Sequence, residues 1–479
     1  MRRLALLLPI LLTLPGCTTH YQVRGTEEIL APMNYNDLIG NSELHRARQI
    51  SMEHQSIEKY SDFSLGVIEI SDEGAVNPRQ KEEVMDWIEQ ETSQGGLLVV
   101  FVHGWHHGAR TCDRDLCCFR TALSELKKAG AGGKGKVVGL FLGWRGESLP
   151  YKGWNVLTLW DRKRIAEHIG RTAGKEILLE LEERAWSGNP DLTMVTIGHS
   201  LGGALLFQAV KGRLTGNISD IELGKVRSYR VVRTEESRVD ALLRHEKARR
   251  AGFGDLVVLV NPALEASEYK VFDNDLKDSK VSCIGPPCRA ELVRQQLPYD
   301  KAQPYPPLQM PVLMTVASEA DTAVGRIFPV ARWIEALIRP RYFAKPYWTG
   351  MGHYAPQITH RLEAPERQTN SQDVVSGGCG CSKMVQGLTE ITPVEVNLTS
   401  SAGVEDIGGG LRFGVTKRRL QRGWDSNSPY LVVQANKGII SEHSDIFNPT
   451  FVAFLRAYIH AYDQKYEALT PNDKKAVHD

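Results

Sequence analysis

Leu192-Thr193-Met194-Val195-Thr196-Ile197-Gly198-His199-Ser200-Leu201-Gly202-Gly203-Ala204-Leu205 is an apolar, β-branched run that passes through Gly-x-Ser-x-Gly into a helical pattern. The order reads as strand, tight turn, helix, the context in which this motif presents a serine hydroxyl. A serine on so sharp a turn needs strained backbone angles, and Gly198 and Gly202 leave the space for strand and helix to approach while Ser200 Oγ projects outward. The helix starting there aims free amide N–H groups at any oxygen that gains negative charge beside the serine.

Working outward, short β-branched runs alternate with longer amphipathic stretches, which predicts an α/β fold with a mostly parallel sheet and helices on both faces. Strands are expected at Phe63 to Ile70, Leu97 to Val102, Lys136 to Leu142, Leu192 to Ile197, Leu256 to Val260, Val312 to Val316 and Tyr430 to Ala435. Helices are expected at Pro78 to Thr92, Cys118 to Lys128, Leu159 to Trp186, Leu201 to Arg213, Ala323 to Ile338 and Pro449 to Lys465. The core would be 63–338 with 430–465, after an N-terminal extension over 17–62. Two polar insertions, 216–252 and 265–307, interrupt it. A glycine-rich stretch at 339–429 is either a cap or a surface excursion.

A second motif precedes the serine turn: Val99-Val100-Phe101-Val102-His103-Gly104-Trp105, an apolar strand ending in His-Gly. With Gly198 to Gly202, it makes the chain resemble bacterial serine hydrolases of the α/β-hydrolase fold, of the lipase and esterase kind. The resemblance spans most of Phe63 to Lys465. It implies an oxyanion hole from the N–H groups of Leu201 and of Trp105 or its neighbour, with His103 shaping the loop. His106 and His107 read as loop filling rather than as a metal pair, since sequence neighbours point in different directions.

A serine hydroxyl needs a base, and the base an orienting carboxylate. The resemblance implies the order Ser, acid, His. Asp321 follows the strand ending at Val316 and is the expected acid, with Glu319 the alternative. His443, in Ser441-Glu442-His443-Ser444-Asp445 after the last strand, is the expected base. His353 and His360, inside the long insertion, are its rivals. Trp105, Trp144 and Trp154 either line an acyl pocket or fill the core.

The N-terminus bears on compartment. Arg2 and Arg3, an apolar run from Leu4 to Leu14, and Leu14-Pro15-Gly16-Cys17 read as a signal peptide over 1–16, too short to span a bilayer stably. Its ending resembles the lipobox of bacterial lipoproteins, which implies acylation of Cys17 and anchoring by acyl chains. The alternative is a secreted protein with an unmodified Cys17. Thr18 follows where inner-membrane retention would place Asp, so the resemblance implies an outer-membrane lipoprotein facing the periplasm. Outside the cytoplasm, Cys112, Cys117, Cys118, Cys283, Cys288, Cys379 and Cys381 can form disulfides, Cys283 with Cys288 most readily. Cys379-Gly380-Cys381 lacks the paired spacing of a zinc site, so no metal is expected.

Of 479 residues, 42% are hydrophobic and 24% charged, with 58 basic against 57 acidic, the balance of an ordinary globular chain. That near-neutrality gives no field to attract nucleic acid. The expected activity is cleavage of a small-molecule or lipid ester through acyl-Ser200, without a cofactor. Transfer of the acyl group to another acceptor, or a non-catalytic envelope lipoprotein of the same fold, are the alternatives. The sequence leaves the oligomeric state open.

Overall fold

The computed structural model describes residues 23–25, 55–133, 135–146, 159–187, 189, 191–215, 252–272, 311–329, 345–366, 394–396, 403–421 and 428–467. The segments around Cys17, Trp154, Cys283, Cys288, Cys379 and Cys381, and residues 216–251 of the first polar insertion, lie outside the described residues.

The strands are β1 (Ile57–Lys59), β2 (Ser64–Ile70), β3 (Gly96–Val102), β4 (Lys136–Trp144), β5 (Leu192–His199), β6 (Leu256–Val260), β7 (Leu313–Ser318), β8 (His360–Glu363), β9 (Glu405–Asp406), β10 (Arg412–Val415) and β11 (Tyr430–Ala435). They form one sheet in the order β1-β2-β4-β3-β5-β6-β7-β11-β8-β10-β9. Every pair from β2 to β8 is parallel, and antiparallel pairs close both edges. The architecture is therefore the expected α/β one. All seven predicted strands are present.

Period-two alternation explains how the sheet carries two apolar layers. Leu98, Val100 and Val102 of β3 join the core beneath one face, and Leu97, Val99 and Phe101 join the core beneath the other. The first face is covered by α1 (Pro78–Thr92), α3 (Leu159–Arg171), α4 (Ala173–Leu181) and α5 (Leu201–Thr215); the second by α2 (Arg114–Lys128) and α7 (Pro449–Glu467). Helix starts follow their capping chemistry. Asn77 Oδ1 accepts from Arg79 N and Gln80 N ahead of Pro78, Asp113 caps α2, and Asn448 Oδ1 accepts from Phe451 N at α7.

Two differences from the sequence reading have local causes. The stretch 159–186 is not one helix: it breaks at Thr172, whose Oγ1 donates back to His168 O at 2.8 Å, and ends in a π-helical turn, Glu182–Trp186. Just before the break, Gly170 lets α3 lie close to α5: a methyl group there would meet Leu205 O at 2.3 Å. The second difference concerns 339–429. Its described parts contribute β8, β9, β10 and the short α6 (Lys417–Gln421), and β8 pairs with β11 so that the insertion lengthens the sheet. Among the described residues no helix is long and apolar enough to cross a membrane.

Candidate active site

The site lies where β3, β5, β6, β7 and β11 end at their carboxyl edge, the side on which open α/β sheets hold ligands. Ser200 follows β5 with φ 54°, in the left-handed region that is costly for a side-chain-bearing residue. The turn is pinned from both sides: Ser200 N donates to Val260 O at 3.0 Å, and Ala263 N donates to Ser200 O at 3.0 Å. The flanking glycines are required by distance. A methyl group on Gly202 would lie 2.2 Å from His103 O, and one on Gly198 would lie 2.9 Å from Gly202 O.

His443 Nε2 lies 2.8 Å from Ser200 Oγ, and His443 Nδ1 lies 2.8 Å from Asp321 Oδ2. The three residues are brought together from positions far apart in the chain. Asp321 Oδ1 accepts from Ala323 N and Val324 N at 2.8 and 3.0 Å, so its second oxygen is free to face the imidazole. Burial alone would raise the Asp321 pKa, but the hydrogen bond and charge of His443 and the Val324 amide outweigh it and hold it below the usual carboxylate value. Glu319 is exposed, its backbone N–H donating to Ala435 O, and its role as the alternative acid is not supported by this placement.

The rival histidines sit elsewhere. His360 is buried in β8 against Thr359 Oγ1, and burial pushes its pKa down to about 3. His353 is close enough to feel the charges of Asp321 and His443, while burial, the largest influence, lowers its pKa. Neither takes the place beside Ser200.

On the oxyanion side, Gly104 lies against the serine turn: a methyl group there would meet Ser200 Cβ at 3.0 Å. Trp105 follows directly, and Leu201 opens α5, so its N–H is among those that helix geometry leaves without an intrahelical acceptor. His103 is a fastener. Trp144 N donates to His103 Nε2 at 3.0 Å, leaving Nδ1–H to donate to Gly104 O at 2.9 Å, and Trp144 Nε1 donates to His103 O. The ring is stacked on both Phe141 and Trp144, and burial pushes its pKa down to about 4, so it stays neutral. Trp144 is thus a buried core residue, while Trp105 is half-buried against the core. His106 lies against Trp105, and His107 contacts Asp113 and Asp115, so the two rings do not converge on a common point.

Three residues near the serine had no place in the sequence reading: His199, Asn261 and Asp115. Asn261 carried the one available signal, an Asn-Pro pair directly after a strand. It sits at φ 44°, which asparagine tolerates better than most residues.

No family model matches the chain, and no curated protein matches it. Two crystal structures of inhibited esterase B from Lactobacillus rhamnosis are similar. One, with a C6-C4 SN3 inhibitor, is 16% identical over 53% of this chain and 64% of that chain, with a TM-score of 0.20. The other, described as a C4-C4 SN3 tributyrin phosphonate complex, is 18% identical over 51% of this chain and 60% of that one, with a TM-score of 0.19. The chain thus spans less than two thirds of those esterases, and the roles assigned below rest on its own geometry.

Proposed function

We propose that the protein is a serine hydrolase that cleaves a carboxylester or lipid ester through an acyl intermediate on Ser200. The observation that carries this reading is the continuous Ser200–His443–Asp321 hydrogen-bond chain, 2.8 Å at each link, at a strained turn on the carboxyl edge of the sheet. With Nδ1–H donated to Asp321, His443 Nε2 carries the lone pair that takes the Ser200 proton as Oγ bonds to the ester carbonyl carbon. The imidazolium then gives that proton to the departing alkoxide, and water repeats the sequence to release the acid. Asp321 stays ionised throughout and stabilises the imidazolium. Leu201 N–H and Trp105 N–H are assigned to the carbonyl oxygen as it becomes negative.

The sequence at Met1 to Cys17 supports a second part of the reading: acylation of Cys17 would anchor the enzyme to the bacterial outer membrane, facing the periplasm, beside lipid esters.

A series of p-nitrophenyl esters of increasing acyl length tests the chemistry. Wild-type turnover that Ser200→Ala abolishes is the expected result, and wild-type rates equal to those of Ser200→Ala for every ester would overturn it. Metabolic labelling with palmitate tests the anchor, with label expected on the wild type and lost in Cys17→Ser. Equal labelling of both would contradict acylation at Cys17.

A further inference from the structure

The serine motif contains a histidine that the acyl-transfer steps do not use. His199, 2% exposed, places its Nε2 at 3.0 Å from the main-chain oxygen of His443. A carbonyl oxygen only accepts, so Nε2 carries the hydrogen and donates. Asn261 Nδ2 donates to the same oxygen at 2.9 Å. Asn261 is itself locked: its N–H donates to Val316 O at 2.8 Å, and its Oδ1 accepts from Ser318 N at 2.8 Å. Residues from the ends of β5 and β6, the second fastened to β7, thus converge on the backbone of the very residue that faces Ser200. Behind His199 stands a buried carboxylate, Asp115, with Oδ2 3.8 Å from His199 Nδ1 and Oδ1 3.4 Å from His107 Nε2.

We propose that His199, paired with Asn261, is a positioning residue that holds the His443 main chain so that Nε2 stays on Ser200 Oγ through the proton transfers. The need is physical. His443 lies on a loop, not on a regular element, and its side chain is 23% exposed, so neither a helix ladder nor close packing fixes it. A base displaced by about 1 Å costs on the order of a hundredfold in rate. The same logic explains the residue type. Burial, the largest influence, pulls the His199 pKa down against the pull of Asp115, so His199 stays neutral and adds no second positive charge beside the imidazolium that His443 becomes. This inference rests on the proposed hydrolase reading for its rate consequences, but its geometry is measurable without turnover.

The test compares His199→Phe, which keeps a ring and loses the donor, with His199→Gln, which restores an N–H donor. Loss of about tenfold or more in kcat with KM nearly unchanged is expected for the first, with most of the rate recovered in the second. The pKa governing the pH profile of kcat/KM should also move in His199→Phe. Independently of activity, the proton resonance of His443 Nδ1–H bonded to Asp321 should be sharp in the wild type and broadened in His199→Phe. Should that variant fold poorly, Asn261→Gly keeps the left-handed backbone, removes the other donor and is expected to broaden the same resonance. Unchanged resonance in a folded variant, or His199→Gln as impaired as His199→Phe, would overturn the proposal. A wild type that turns over no ester but loses the resonance on substitution would sink the hydrolase reading and leave the positioning role standing.

Discussion

Two carboxylates of this molecule, Asp321 and Glu58, each face a nitrogen base, and their surroundings give them opposite tasks. Glu58 is wholly buried. Arg120 Nε and Nη2 donate to its two oxygens at 2.7 and 2.8 Å, Tyr60 OH donates at 2.8 Å, and Arg24 Nη1 lies 3.0 Å away. Every partner is a donor that keeps its proton, so the cluster has one protonation state and serves only to fasten. Arg24 Nε donates to Ala109 O and Arg120 Nη1 to Thr111 O, each at 2.7 Å, which ties the segment after His103 and Trp105 to the sheet edge. Asp321 faces an imidazole whose other nitrogen reaches a half-open edge of the sheet and a hydroxyl. On the proposed reading, a carboxylate serves a proton transfer by orienting and stabilising a partner that can both take and give a proton, and serves as a rivet when its partner cannot.

Breaking each cluster should therefore produce different failures. The largest effect is expected from Ser200→Ala or His443→Ala, each lowering kcat/KM by about a million-fold while the melting temperature stays near wild type. Asp321→Asn follows, with a loss of about ten-thousand-fold, because the wrong tautomer of His443 is then favoured. Glu319→Gln should change neither rate nor stability, and a matching loss there would reassign the acid. At the other cluster, Arg120→Met leaves Glu58 buried without its main partner. We expect a loss of about 3–5 kcal/mol in urea unfolding, with kcat of the remaining folded protein close to wild type.

The smallest and most diagnostic effect is on pH. Burial would raise the Glu58 pKa, but Arg120, Arg24 and Tyr60 together lower it from 4.5 to about 2. A depressed folded-state value means that the stabilisation is fully present above about pH 4.5 and is lost as the pH falls toward about 2. The urea midpoint should fall across that window in the wild type and more shallowly in Arg120→Met. An equally steep fall in both would show that another group carries the acid sensitivity.

Much of the frame was legible in the sequence because central parallel strands are buried on both faces and must be apolar throughout, as Leu256 to Val260 is. Helix starts were legible where a cap and proline coincide, as at Asn77-Pro78 and Asn448-Pro449. The serine, acid and histidine positions were legible because each follows such a strand. The edge strands β8 to β10 were not: β8 reads His-Arg-Leu-Glu and β9 only Glu-Asp, too short and polar to stand out from loop. The contacts of His199 and Asn261 with His443, and of Arg24 with Ala109, were illegible for another reason. They join residues separated by 244, 182 and 85 positions, and no local pattern marks such a pairing.

The proposed chemistry stands on Ser200 being an activated nucleophile. Treating the full chain with a fluorophosphonate and mapping the adduct by peptide mass tests it most directly. One adduct is expected, on Ser200, absent in Ser200→Ala and at least a thousandfold slower to form in His443→Ala, in keeping with the loss of the base. Folded wild-type protein that remains unlabelled, or that is labelled equally well without His443, would contradict it.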